Sequence, residues 1–249
     1  MGFLEAIVSD IGSLAVPALF NVYFAVASIP VGFVLAVLLA LARHSRRPVL
    51  SRFAAVYIYA FRGSPLFIQL FMVYSLMLSL NLSLWRPWGV DGFVLHPLFL
   101  GPLVLTLNTT AYTAEIIFGA LRTVPQGELD AARAYGMSPW RQFRSVIWPN
   151  TIRVAWPAYT NEVVFLFQAT ALVYFALPVV DQQRDLMSKA TDLFYRDFNV
   201  FAHYAVAAGY FLVISWLIFV GCGAVNRRLN AHVAPQRRVA LRYAPKYLR

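Results

Sequence analysis

The sequence predicts an all-α, polytopic membrane protein of five transmembrane helices, and three observations carry that prediction. Of 249 residues, 60% are hydrophobic and only 13% are charged, with a mean hydropathy of +0.62. Soluble domains average about 45–50% apolar and roughly 25% charged, so this chain lacks the charge to coat a water-facing surface. Five runs reach the ~20 apolar residues that a helix needs to cross a hydrocarbon layer of about 30 Å. Basic residues, finally, collect in alternate connections between those runs, the pattern that orients membrane proteins.

The spans are expected at residues 14–41, 53–80, 97–121, 152–179 and 204–225. Pro17, Pro30, Pro157 and Pro178 fall in or near them, where neighbouring helices and polar side chains can satisfy the freed carbonyls. No Lys or Arg precedes the first run, which carries Glu5 and Asp10 instead. A cleaved signal peptide needs a positive n-region, so the first span is expected to be retained. Residues 1–228 are then expected to form one transmembrane domain, and residues 229–249 a basic tail near anionic lipid.

Orientation follows from the connections. Arg43, Arg46, Arg47 and Arg52 occupy the first, Arg122, Arg133, Arg141 and Arg144 the third, and Arg227, Arg228 and the tail follow the fifth span. The fourth connection is acidic, with Asp181, Asp185, Asp192 and Asp197. The basic connections are expected in the cytoplasm, which puts the N-terminus outside and the C-terminus inside. The aromatics Trp85, Trp88, Phe194 and Tyr195 read as interface anchors.

The net charge of +10 does not point to nucleic acid, because the basic residues alternate with apolar spans instead of forming one face. Cys222 stands alone in an apolar run, which excludes an internal disulfide or a multi-cysteine metal site. His44, His96, His203 and His232 lack metal-ligand spacing.

The third connection, residues 122–153, is the most informative stretch. Glu128 to Tyr135 is rich in helix formers, and Ala131, Ala132 and Ala134 give it small surfaces. Gly136 reads as a left-handed residue that ends this helix. Ser138 and Pro139 read as the N-cap and first residue of the next. The result is a compact elbow with Arg133, Arg141 and Arg144 on its wet faces. Local chemistry alone leaves a docking element and a plain solvated loop open.

The elbow resembles the coupling motif of importer permeases of the ABC superfamily. Asp130, Ala131, Ala132, Gly136, Ile147 and Pro149 carry the likeness, with Asp130 where Glu is commoner and Trp148 where Leu is commoner. FRGSPLFIQLF over residues 61–71 and LNTTAYTAEI over residues 107–116 are similar to signatures of polar amino-acid permeases. GELDAARAYG, from Gly127, and NEVVFLFQATAL, from Asn161, resemble the subgroup serving histidine, lysine, arginine or ornithine, and opines. The resemblance implies a type I ABC importer permease fold in a bacterial inner membrane and alternating access driven by another chain. It implies two copies of a cytoplasmic ATPase, a second permease (a paralogue, alternatively a second copy) and a periplasmic substrate-binding protein. It also implies ATPase-coupling roles for Glu128, Asp130, Ala131, Ala132, Arg133 and Gly136. The chain has no G-x-x-x-x-G-K-[ST] loop, so no cofactor is expected on it; ATP and Mg belong to the partner ATPase, and the chain is not an enzyme.

Ionisable residues within spans are costly and mark functional positions. Glu115 and Glu162 stand roughly 10–14 Å from the elbow ends of their helices at 1.5 Å per residue, so a similar depth is expected for both. A cationic ligand would relieve their repulsion. Asn108, Thr109, Thr110, Tyr112 and Thr113 precede Glu115, Asn161 adjoins Glu162, and Thr170 lies two turns beyond. The expected substrate-binding set is Glu162, Asn161, Glu115, Asn108, Tyr112 and Thr170. Either glutamate could instead pair with Arg62 or another helix and lock the bundle. Arg62 itself is expected to satisfy a helix break at Gly63-Ser64-Pro65. An ion-coupled carrier is the competing function, but such carriers show inverted repeats and more spans.

Overall fold

The computed structural model describes residues 3–178 and 185–231, and its described elements are helices joined by short connections. α1 (Phe3–His44) is long because no charged residue lies between Asp10 and Arg43. α2 (Pro48–Arg62) begins with proline at its first position, where the missing N–H has no helical partner to lose.

The second expected span is two helices, not one run. α2 and α3 (Leu66–Ser79) meet at 105°. Pro65 lacks an N–H and disfavours helical geometry at Ser64, so the helix stops there. Gln69 repairs the break: its Nε2 donates to Phe61 O at 2.7 Å and Ser64 O at 2.9 Å. Its Oε1 accepts from Asn108 Nδ2 at 2.9 Å. The role expected of Arg62 thus falls to Gln69, whose short amide reaches both carbonyls.

A π turn at Asn81–Trp85, a 3-10 turn at Arg86–Trp88 and the single-turn α4 (Asp91–Val94) lead to α5 (Pro97–Leu121). The elbow follows as α6 (Gln126–Ala134) and α7 (Pro139–Gln142), and a π turn at Phe143–Ile147 runs into α8 (Trp148–Ala169). α8 breaks at Thr170 into α9 (Ala171–Ala176); Val179, the expected end of this span, lies outside the described residues. α10 (Leu186–Asp197) and α11 (Val200–Leu229) complete the order. All of the expected tail from residue 232 on lies outside the described residues.

α5 is the centre. It packs along α1 and also meets α2, α3 and α8. At one end Phe24, Leu70, Leu100, Val104, Leu166 and Val173 form its core with α1, α3, α8 and α9. At the other, Ala36, Ala40, Ile58, Ala114 and Ile117 join α1, α2 and α5 through small side chains. α10, absent from the sequence expectation, is amphipathic. Asp185 caps it by accepting from Ser188 N at 2.8 Å, and Leu186, Ala190 and Leu193 pack on Leu14 and Ala18. His203 links Asp10 of α1 to Asp197 of α10, with Nε2 2.6 Å from Asp197 Oδ1.

By length and apolarity α1 and α11 qualify as crossings, and α2 with α3 qualifies as one bent crossing. α5 and α8 fall short of that measure because they carry Asn108, Thr109, Thr110, Thr113 and Glu115, and Asn161 and Glu162. Asn108, Thr109, Thr110, Thr113 and Glu162 are buried, and so is most of α5, whereas only 17% of the most apolar stretch of α11 is. The polar helices α5 and α8 pack on each other, and α11 presents most of its apolar surface outward.

Candidate functional site

The break after Arg62 turns the end of α2 toward α5. Arg62 lies over the Tyr112 ring, 5.4 Å from guanidinium carbon to centroid, and Tyr112 Oη donates to Arg62 O at 3.4 Å. Glu115, one turn further along α5, sits between two cations. It pairs closely with Arg43, from the last turn of α1, and stands 3.6 Å from Arg62. The Arg43 guanidinium also covers the Phe118 ring at 4.3 Å. Glu115 is therefore neutralised by its own chain.

Glu162 is treated differently. It is 8% exposed, and Thr109 Oγ1 donates to its Oε1 at 3.1 Å. Among the described residues no cation lies within salt-bridge distance of it. Its contact with Thr109 sets its depth six residues before Glu115 on α5, about 9 Å away along the axis. The two carboxylates thus do not share a level, contrary to the sequence expectation. α8 begins at Trp148, ahead of Arg153, so counting from Arg153 misjudged where Glu162 lies.

The remaining expected residues divide. Asn161 neighbours Glu162 on α8 and is exposed. Asn108 is buried, and its amide is given to Gln69. Thr170 is remote from Glu162 along the helix. It accepts from Asn21 Nδ2 at 3.0 Å and donates to Phe167 O at 2.6 Å, while Asn21 Oδ1 accepts from Leu186 N at 3.0 Å. That set ties α1 to the end of α8 and the start of α10. Arg62, Tyr112 and Glu115 meet where α2 joins α5, and Thr109 and Glu162 meet where α5 joins α8.

Gln69, Arg43 and Thr109 are the participants that sequence reasoning undervalued. Gln69 did carry a signal, as a lone polar residue within the apolar run LFIQLF. Arg43 read only as a loop charge.

The elbow forms as its residues dictate. Gly136 has φ 68, and the two bonds that close the helix are Gly136 N to Arg133 O at 2.9 Å and Met137 N to Ala132 O at 3.1 Å. Ser138 Oγ accepts from Arg141 N at 3.4 Å as the next cap. Arg133 pairs with Asp130 at 2.9 Å, and Asn150 Nδ2 donates to Glu128 at 2.5 Å, which fastens α6 to α8. Ala132 turns inward and is 4% exposed, so it packs within the elbow; Ala131, Ala134 and Tyr135 face out.

The family described as "Binding-protein-dependent transport system inner membrane component" matches residues 28–231. The histidine/lysine/arginine/ornithine transport system permease protein HisM of Escherichia coli (strain K12) is 36% identical over 215 residues, 86% of this chain and 88% of the relative. The octopine transport system permease protein OccM of Rhizobium meliloti is 39% identical over 206 residues, 78% of this chain and 81% of the relative. Among solved structures, an amino acid ABC transporter with histidines shares the fold. Its TM-score is 0.72 at 24% identity, over 92% of this chain and 99% of that one.

Proposed function

The chain belongs to the family of binding-protein-dependent transport system inner membrane components, and we propose that in it Glu162 meets the positive charge of a cationic amino acid during import. As an ABC importer permease it forms a translocation pathway and is not itself an enzyme; permeases of this kind work with ATPase and substrate-binding partners.

The observation that carries the substrate reading is the unequal treatment of two acids. A buried carboxylate without a cation is unfavourable by several kcal/mol unless something compensates it. Glu115 has two arginines within pairing distance, whereas Glu162 has one hydroxyl as partner and only the more distant charge of Arg62. An ammonium or a guanidinium, with its planar fork of donors, offsets that deficit on arrival. Exposed Asn161, which adjoins Glu162 on α8, is the neighbouring polar group proposed to bond the uncharged part of a zwitterion. The relatives HisM and OccM, whose names refer to basic amino acids and an opine, fit the same chemistry.

In this reading α5 and α8 cross the membrane beside α1, α2–α3 and α11. The elbow faces the cytoplasm, the N-terminus lies outside and the C-terminus inside. Each of two ATPase copies grips one elbow, with Ala131, Ala134 and Tyr135 turned outward for contact and Gly136 setting the angle. A paralogous permease completes the pathway, and a periplasmic protein delivers the substrate. ATP and Mg stay on the ATPase. Its closure shifts the permease pair between inward- and outward-open states through contacts that differ in the two.

The test is uptake by proteoliposomes that contain the chain with its ATPase, second permease and binding protein. Arginine or ornithine uptake is expected to require ATP, to stop with vanadate and to be competed by cationic rather than acidic amino acids. Uptake driven by an ion gradient without the ATPase overturns the reading.

A further inference from the structure

One glycine of α1 touches this site indirectly. A Cβ built on Gly32 would stand 2.4 Å from Thr109 Cγ2, far inside the 3.4–4 Å of ordinary contact. The next nearest atoms, Thr106 O at 3.5 Å and Thr110 Oγ1 at 3.7 Å, present no obstacle. Gly12, Gly209 and Gly221, on α1 and α11, have nothing within 4 Å. The close approach is therefore a property of Gly32 and of one methyl group.

That methyl belongs to the residue that bonds Glu162. Threonine in a helix divides between two χ1 states, because its hydroxyl can turn back to a carbonyl of the preceding turn. Thr110 adopts the turned-back state, with Oγ1 donating to Thr106 O at 2.7 Å. Thr109 instead sends its hydroxyl across to Glu162 at 3.1 Å, with its methyl seated over Gly32. The bare Cα at position 32 is what leaves room for that state while α1 and α5 stay in contact.

We propose that Gly32 is a positioning residue for substrate recognition: lacking a Cβ, it holds Thr109 in the rotamer whose hydroxyl orients the Glu162 carboxylate toward the incoming cation. This rests on the reading of Glu162 given above. A side chain at position 32 must either part α1 from α5 or rotate Thr109. Rotation leaves Glu162 buried, without its only hydrogen-bond donor among the described residues and free to turn.

The test pairs a clash with two ways of relieving it, in the reconstituted transport complex. Gly32→Ala is expected to raise the KM for a cationic amino acid by about tenfold, the scale of a lost hydrogen bond to a charged group, while maximal ATP hydrolysis changes little. Adding Thr109→Ser removes the obstructing methyl and keeps the hydroxyl, so uptake returns. Adding Thr109→Ala removes both, so thermal stability returns and the KM stays high. Recovery in both double variants, or in neither, overturns the proposal, as does an unchanged KM in Gly32→Ala. Should Gly32→Ala fail to assemble, Thr109→Val decides: it keeps the shape and loses the hydroxyl, and a KM like that of the parent overturns the proposal. Glu162→Gln is run in parallel. Normal uptake there sinks the reading of Glu162 itself, whereas defective uptake there beside a normal Thr109→Val sinks only the role of Gly32.

Discussion

Glu115 and Glu162 sit on facing helices of one bundle, yet the chain handles them in opposite ways. At the elbow end of α5, Glu115 closes a cluster in which Arg43 of α1, Arg62 of α2 and the Tyr112 and Phe118 rings come together. About 9 Å deeper, Glu162 lies between α8 and α5 with a threonine hydroxyl as its partner. The first region spends its charges on joining three helices. The second leaves a buried carboxyl without a cation in pairing distance among the described residues. The difference separates an acid paired within the bundle from one with only a hydroxyl beside it, and it is the contrast on which the proposed recognition role rests.

The largest effect that would break this comparison comes from Glu162→Gln. It removes a buried ionisable group while keeping an acceptor for Thr109, so the thermal midpoint of the purified complex is expected to hold or rise. Uptake of a cationic amino acid is expected to fall by about a hundredfold in kcat/KM, since an ion pair formed in a sheltered site is worth around 3 kcal/mol. A lowered midpoint with normal uptake would make Glu162 a bundle lock and erase the distinction.

Glu115→Gln sharpens the same contrast from the other side. Arg43 and Arg62 lose their counter-charge, so the expected loss is about 1–2 kcal/mol, tempered by the partial exposure of the cluster. Differential scanning of the complex should show a midpoint lower by a few degrees, with the KM for substrate changed less than threefold. A KM shift matching that of Glu162→Gln would place Glu115 in the recognition site after all.

What the sequence made legible is what local chemistry determines. Pro97 starts α5, Gly136 ends α6 in the left-handed region, and Ser138 caps α7, because each acts within four residues of itself. The stop at Gly63-Ser64-Pro65 was visible for the same reason. Its angle of 105° was not, nor was its repair by Gln69, since that arrangement depends on Asn108 from another helix. Glu115 and Glu162 stood out as acids in apolar runs. Their unequal fates turn on Arg43, which comes from the far end of α1, and on Thr109, one of several similar hydroxyls in its run. The inward turn of Ala132 was likewise hidden, because a helix pattern does not say which side its neighbours occupy.

Gln69→Leu probes whether the break itself holds the two regions apart. The Phe61 and Ser64 carbonyls lose their donor, and the buried Asn108 amide loses its acceptor, which together are expected to destabilise by about 1–3 kcal/mol. Because the break aims Arg62 at Glu115, labelling of a cysteine placed at position 62 should become faster in Gln69→Leu while Thr109 and Glu162 are undisturbed. Equal labelling would mean that Pro65 alone fixes the bend.

The smallest expected effect lies farthest from both acids. Gly136→Ala forces a side chain into a left-handed residue, a change of about 1 kcal/mol that falls on the angle between α6 and α7. Neither carboxylate moves, so the KM for uptake should match that of the parent protein. The number of substrates carried per ATP hydrolysed should drop two- to threefold, because an elbow that docks at a shifted angle transmits closure less faithfully. Gly136→Asp adds a charge beside Arg133 and Tyr135 and should deepen that loss with the KM still unchanged. A rise in KM in either variant would show that the elbow and the Glu162 region respond as one unit, and recognition and coupling could then no longer be assigned to separate parts of the chain.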